Sequence, residues 1–311
     1  IPYSNDMGMS QRHPDFPPLP LVRDEEVVQE QPDQTTLTER YTEDAVRFLR
    51  ENRERRFFLY FAHTYVHVPL YAPERFLEHS RNGPYGAAVE HIDWCMQVLF
   101  AELNRLGIDE RTLVVFTSDN GGAPQHGASN RPLRGRKGTT WEGGMRVPCL
   151  ARWPGTIPAG AECGELATAM DLLPTFARLA GAASPQDRIV DGHDIGPLLR
   201  GEAGAHSPYD AFFYYREHEL QAIRRGPWKL HLKTGELYNL REDIGEQNDR
   251  AAEQPDVVQA LRDRAAVCRE DLGDSLTGAA GRNRRPPGRV PDPVPMTRYH
   301  ADHPYMIALY D

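Results

Sequence analysis

No CxxC pair occurs among the four cysteines, Cys95, Cys149, Cys163 and Cys268. That excludes a zinc ribbon and a dithiol redox motif. No window approaches about 18 consecutive apolar residues, so no transmembrane helix is expected. Neither GxSxG nor GxxxxGK[ST] is present, and no Ser-His-Asp pattern stands out. Positive charge is in deficit, with 36 Lys and Arg against 45 Asp and Glu, a formal net charge of −9. A chain with that balance is not built to hold phosphate backbones, which excludes nucleic acid as a partner. No signal peptide is visible. The chain opens on Ile1 and not on Met, as expected for a fragment or a processed product. Apolar content is 40% over 311 residues, below the globular average but sufficient for a core at this length.

Against that acidic background, residues 112–144 hold the most informative stretch, TLVVFTSDNGGAPQHGASNRPLRGRKGTTWEGG. An apolar strand-like run ends in Asp119-Asn120, and a glycine pair follows. Arg131, Arg134, Arg136 and Lys137 then fall within seven positions. A carboxylate and an amide carbonyl are hard oxygen donors suited to calcium or magnesium. The cations suit a tetrahedral anion, with Lys137 as a point-charge donor flanked by small residues. A plain turn and a solvated loop face are the competing readings of these residues. Two side chains also fall short of a calcium shell of about 6–8 oxygens. Some of the arginines are expected to pair with Glu142 or other acids.

The pattern of elements points to an α/β protein. Residues 36–52 read as a helix with Ala45, Val46, Phe48 and Leu49 on its apolar face. Residues 57–63, FFLYFAH, read as a strand buried on both faces. Residues 85–106 carry the strongest helical periodicity, stopped by Gly107. Residues 112–117 form the next strand, and strand–helix–strand suggests a parallel, helix-covered sheet. A further strand is expected at 147–152, and a short helix at 171–180 with Asp171 as N-cap. Asp191 and Asp194 are expected to fix a turn and cap the helix carrying Pro197 and Leu198. Beyond residue 205 short runs separated by Gly226-Pro227 and Thr234-Gly235 predict antiparallel strands. They are followed by a helix over 255–271 with Val257, Val258, Leu261, Ala265 and Val267 inward. Residues 1–35 read as an ordered loop or extended arm and those from 278 as a Pro/Arg-rich tail. Cys95 and Cys268 fit as small buried hydrophobes, while a Cys149–Cys163 bridge is left open. His63, His67, His126 and His193 each have a structural reading that outweighs the catalytic one when taken alone.

The segments IPYSNDMG, FFLYFAHTYVHVPLYAPERF, YGAAVEHIDW, TLVVFTSDNGG, PLRGRKGTTWEGGMRVP, ARWPGTIPAG, DLLPTFARLAGA, DGHDIGPLL and LYNLREDIGEQND occur in the order of the sulfatase family. The chain resembles in particular the arylsulfatases and N-acetylgalactosamine-6-sulfatases of the alkaline phosphatase superfamily, over roughly residues 1–250. The resemblance implies a large, mostly parallel sheet between helices, with a smaller C-terminal antiparallel sheet plus helix. It divides the chain into a catalytic α/β part at 1–204, an antiparallel subdomain with helix at 205–277, and an extended tail at 278–311. It implies that Asp119 and Asn120 ligate Ca2+ (Mg2+ being less suited) and that Lys137 and His67 contact the substrate sulfate, with His67 helping to protonate the leaving oxygen. It also implies a formylglycine nucleophile and, for the compartment, a secreted, periplasmic or lysosomal setting.

The family's nucleophile motif, Cys or Ser followed by x-[PA]-x-R, is absent from these 311 residues. Also absent is the paired-Asp strand that supplies the first calcium ligands. Both precede IPYS in the family, so the expectation is the C-terminal two-thirds of a sulfatase, inactive by itself. Three functions remain open at this point. One is a sulfuric ester hydrolase acting on a sulfated small molecule or sugar sulfate. Another is an inactive remnant that binds anions or a partner. The third is a phosphoryl or phosphonate monoester hydrolase of the same superfamily.

Overall fold

A computed structural model describes residues 19–294. IPYSNDMG and the end of the Pro/Arg-rich tail lie outside the described residues. The chain divides into two compact units. Of the described residues, one holds 19–109, 125–127 and 288–294, and the other holds 110–124 and 128–287.

In the first unit the described part of the acidic, Pro-rich stretch, residues 19–35, holds a hairpin where a loop or extended arm was expected. β1 (Pro20–Arg23) and β2 (Glu26–Glu30) form an antiparallel hairpin. Asp24 takes a φ of 53° in its turn, a conformation that Asp tolerates better than most residues. α1 (Leu37–Asn52) buries Leu37, Ala45 and Leu49, on the face that the periodicity marked. After the short α2 (Glu74–Leu77), α3 (Gly83–Arg105) buries Ala87, Ala88, His91, Cys95, Leu99 and Leu103. Gly107 ends it at φ 66°. The Ile108 N–H reaches back to the Leu103 carbonyl at 3.1 Å and the Gly107 N–H to the Asn104 carbonyl at 3.0 Å. These bonds satisfy carbonyls that the last turn would leave open. Leu21, Leu37, Tyr65 and Ala88 form this unit's core.

Two sequence expectations change here. Residues 57–63 are not a strand of any described sheet, and Phe58 and Tyr60 are 68% and 82% exposed. A continuous apolar run signals burial on two faces but cannot supply the neighbours that would bury it. The run at 112–117 forms β3 (Val114–Thr117). It pairs antiparallel with β4 (Cys149–Arg152) rather than in parallel with residues 57–63.

The second unit continues with α4 (Glu142–Met145), α5 (Leu172–Leu179) and α6 (Gly196–Leu199). Asp194 accepts the Gly196 N–H at 2.9 Å and so fixes the turn before α6, while the N-cap position is Ile195 and carries no side-chain cap. Asp171 sits at the N-cap position of α5 but makes no side-chain cap bond to it, and its carboxylate serves the residues around it instead. Its fully buried carboxylate accepts the Thr168 N–H at 2.6 Å, the His193 N–H at 2.8 Å and the Tyr209 hydroxyl at 2.5 Å. Cys149 and Cys163 are both free and exposed, so no bridge joins them.

The C-terminal antiparallel sheet is as expected: β5 (Phe212–Arg216), β6 (Glu219–Arg225), β7 (Trp228–His231) and β8 (Leu237–Asn239), in that order. α7 (Pro255–Leu272) lies on it. Leu220, Ile223, Leu230 and Leu237 of the sheet meet Leu261, Ala265 and Cys268 of the helix. Val267 was expected inward and is exposed. One step along the helix, Cys268 takes the buried position.

Candidate functional site

The site is built where the turn after β3 meets the loop before α4. The Gly121 N–H donates to the Gly144 carbonyl at 3.0 Å, and the Lys137 N–H donates to the Gly122 carbonyl at 3.0 Å. Asn130 ties the same strands together through its side chain. Its Oδ1 accepts the Gly122 N–H at 2.8 Å, and its Nδ2 donates to the carbonyls of Gly122 at 2.9 Å and Gly135 at 3.2 Å. Approach this close needs glycine. A Cβ at Gly121 would overlap the Gly143 carbonyl, and one at Gly144 the Thr139 carbonyl. The glycine pair after Asp119-Asn120 and the glycines of WEGG therefore serve one purpose: they let two backbones touch. Asp119, Asn120 and Lys137 are brought into one loop knot by these bonds.

Within the knot, Asn120 Nδ2 donates to Asp119 Oδ2 at 2.5 Å. The amide is thereby oriented so that its Oδ1, a hard donor, faces away from the carboxylate. Asp119 is exposed and Asn120 half-buried. One carboxylate and one amide oxygen fit part of a calcium shell, not the whole of it. Among the described residues no group of three or more His, Cys, Asp or Glu clusters as a metal site.

Lys137 is exposed, with Gly138 next to it at φ 83°. Arg131 and Arg136 are exposed as well. Arg134 is not an anion-facing cation. Its guanidinium stacks 3.7 Å over Trp141, and its Nη1 donates to Tyr238 Oη at 3.1 Å and to the Glu246 carbonyl at 2.9 Å. The expected pairing of a loop arginine with Glu142 is replaced by Arg146, at 2.8 Å, and by the buried Lys229, at 2.9 Å.

Behind the loop lies a buried charge network that the sequence did not reveal. Lys229 is fully buried and contacts Glu142 Oε1 at 2.9 Å, Glu246 Oε1 at 3.0 Å and the Thr140 carbonyl at 2.8 Å. His231 shares Glu246 Oε1 at 2.9 Å and lies 3.7 Å from the Trp141 ring. Burial opposes ionisation of Glu142, yet the Lys229 ammonium and the Arg146 guanidinium overcome it and hold its pKa below the usual carboxylate range. Burial, then the neighbouring Glu142 charge, pushes the Tyr214 phenol well upward. The period-2 geometry of β7 could have hinted at the network, since Lys229 and His231 must share a face.

His67 belongs to the first unit. Its Nδ1 lies 2.7 Å from the Val68 carbonyl. A carbonyl only accepts, so Nδ1 carries the hydrogen and Nε2 lies outside that bond. His126 is exposed in a short turn, and His193 packs edge-on against Tyr209, 5.0 Å between centroids. Both fit structural roles.

Comparison with known proteins adds the following. The family signature "Sulfatase" matches residues 1–182, and "N-sulphoglucosamine sulphohydrolase, C-terminal" matches 136–270. Mouse steryl-sulfatase is 43% identical over 212 residues, covering 66% of this chain and 34% of the relative. Rat N-acetylgalactosamine-6-sulfatase is 42% identical over 234 residues, covering 70% and 44% respectively. Among solved structures, Ps i-CgsB in complex with k-i-k-neocarrahexaose superposes with a TM-score of 0.71 at 30% identity, covering 80% of this chain and 58% of that one. The chain spans less than half the length of these two curated relatives.

Proposed function

We propose, from the premise that this chain belongs to the sulfatase family, that it forms part of a sulfuric ester hydrolase acting on sulfate monoesters of a small molecule or sugar. The observation that carries this reading is the pair of backbone bonds that sets Lys137 beside the Asp119-Asn120 turn. Hard oxygen donors and an ammonium in one knot suit the oxygens of an esterified SO₃ group, while the leaving oxygen gains negative charge as its bond to sulfur breaks. The names of the relatives, a steryl-sulfatase and an N-acetylgalactosamine-6-sulfatase, agree with such a substrate.

In this reading Lys137 binds the sulfate oxygens and stabilises them further in the transition state. Asp119 and Asn120 would hold Ca2+ with further ligands from elsewhere, and the cation would supply positive charge opposite the sulfate. A formylglycine from outside these 311 residues would supply the attacking oxygen. The family resemblance gives His67 the role of protonating the leaving oxygen. The Val68 carbonyl keeps the hydrogen on Nδ1, so any second proton sits on Nε2. That proton passes to the leaving alkoxide or phenoxide, and the ring returns to its Nδ1–H form. General acid help of this kind typically contributes about 10²–10⁴-fold.

The test is to assay the full-length protein, with calcium, on 4-nitrophenyl sulfate and 4-nitrophenyl phosphate. Sulfate turnover exceeding phosphate turnover is expected. Faster phosphate hydrolysis, or no sulfate hydrolysis, overturns the reading.

A further inference from the structure

Glu246 bonds both to the C-terminal sheet and to the Lys137 loop. It is fully buried, and its φ of 52° lies in the left-handed region although it is not glycine. A bulky residue persists there only when its surroundings hold it in place. Every acceptor it owns is used on the loop or on the sheet. Its backbone carbonyl accepts Arg134 Nη1 at 2.9 Å, and Oε2 accepts the Glu142 N–H at 2.7 Å. Oε1 receives Lys229 at 3.0 Å and His231 at 2.9 Å, both from β7. Arg134 and Glu142 stand at the two ends of the loop, with Lys137 between them. The Gly143 N–H closes the loop on the Arg134 carbonyl at 2.6 Å.

We propose that Glu246 is a positioning residue for Lys137: one strained, buried residue grips both ends of the loop, Glu142 through its carboxylate and Arg134 through its backbone carbonyl, and sets where the ammonium stands. The proposal rests on the sulfate-binding role of Lys137 given above. A simpler role, a buried ion network that only stabilises the fold, would lower the melting temperature of a variant and leave the turnover of its folded molecules unchanged. Positioning also affects turnover, because small displacements of a reacting group can lower rates by about a hundredfold.

The experiment uses the full-length protein with Glu246→Gln, which keeps the side chain's size and removes its charge. Asp249→Asn is the control. Asp249 accepts the Leu237 and Ala251 N–H groups, both at 2.9 Å, so its loss weakens the sheet without touching the loop. At a temperature where both variants are folded, E246Q should lose about 10- to 100-fold in kcat on 4-nitrophenyl sulfate, with a smaller change in KM, while D249N keeps the wild-type kcat. Amide hydrogen exchange at Lys137 and Gly143 should quicken in E246Q alone. If E246Q does not fold, Glu246→Asp is read in the same way. If the wild-type protein fails to turn over sulfate, faster exchange in E246Q still supports the clamp, and it is the sulfatase reading that falls. Wild-type kcat and unchanged exchange in folded E246Q overturn the proposal.

Discussion

His63 stands out among the titratable side chains because both of its ring nitrogens are buried without a hydrogen-bond partner. Burial first, and the nearby His91 second, lower its pKa from 6.5 to about 4. The sign follows from which form the fold prefers. The folded protein keeps the ring neutral, while the unfolded chain protonates it near pH 6.5. His63 therefore adds no pH-dependent cost above pH 6.5, and its protonation in the unfolded chain erodes stability as pH falls from about 6.5 to about 4. Glu102 follows with a lower window. Hydrogen bonds from Arg105 and then Arg50 bring its pKa to about 2, and its side chain is 8% exposed. That contribution is present above its unfolded pKa and is lost as pH falls toward about 2. It stays modest because both arginines are largely solvated. Melting temperature against pH is the check. His63→Phe should flatten the upper window, and an unchanged slope would contradict the assignment. At the proposed calcium turn, Asp119→Ala removes the only carboxylate of the Asp119-Asn120 pair. Calcium titration of the full-length protein should show affinity weakened at least tenfold, and unchanged affinity would remove Asp119 from the shell.

β7 shows how one element serves two purposes. Its alternation sends Lys229 and His231 toward the Lys137 loop and Leu230 toward α7. Lys229→Met should destabilise by about 3–5 kcal/mol, because Glu142 and Glu246 would be left buried with their shared cation gone. Leu230→Ala should cost about 2–5 kcal/mol through the cavity it opens against Leu261 and Ala265. Denaturant midpoints measure both. Elements with a local signal were legible in the sequence. α1, α3 and α7 announced themselves by periodicity, and β5 to β8 by short apolar runs between glycine-marked turns. The turn at Asp119-Asn120 and the exposed Lys137 were legible too, as residue types in a specific order. What could not be read was pairing. The register of β3 against β4 depends on residues 32 or more positions apart, and nothing local in FFLYFAH says which strands it meets. Glu246 was hidden for a related reason. In LYNLREDIGEQND it looks like one more surface acid, and only the fold puts it under the loop.

Taken whole, the chain leaves large apolar residues uncovered: Phe58, Tyr60, Leu150, Leu173 and Ile189 are all exposed. β3 and β4 form a two-stranded ladder among the described residues, and such ladders are marginal alone and prone to pairing with other chains. The isolated 311-residue chain is therefore expected to self-associate on size-exclusion chromatography and to melt with low cooperativity. A soluble, cooperatively melting monomer would contradict that expectation. The chain alone is also expected to be inactive on sulfate esters, since the nucleophile motif is not in it. The claim on which the functional reading depends is that Lys137 and the Asp119-Asn120 turn bind one sulfate group. The most direct measurement is kcat/KM on 4-nitrophenyl sulfate for the full-length protein and its Lys137→Ala variant, side by side. Loss of about 10²–10³-fold in the variant is predicted, the usual effect of removing one donor to developing negative charge. A variant within about twofold of wild type would contradict it.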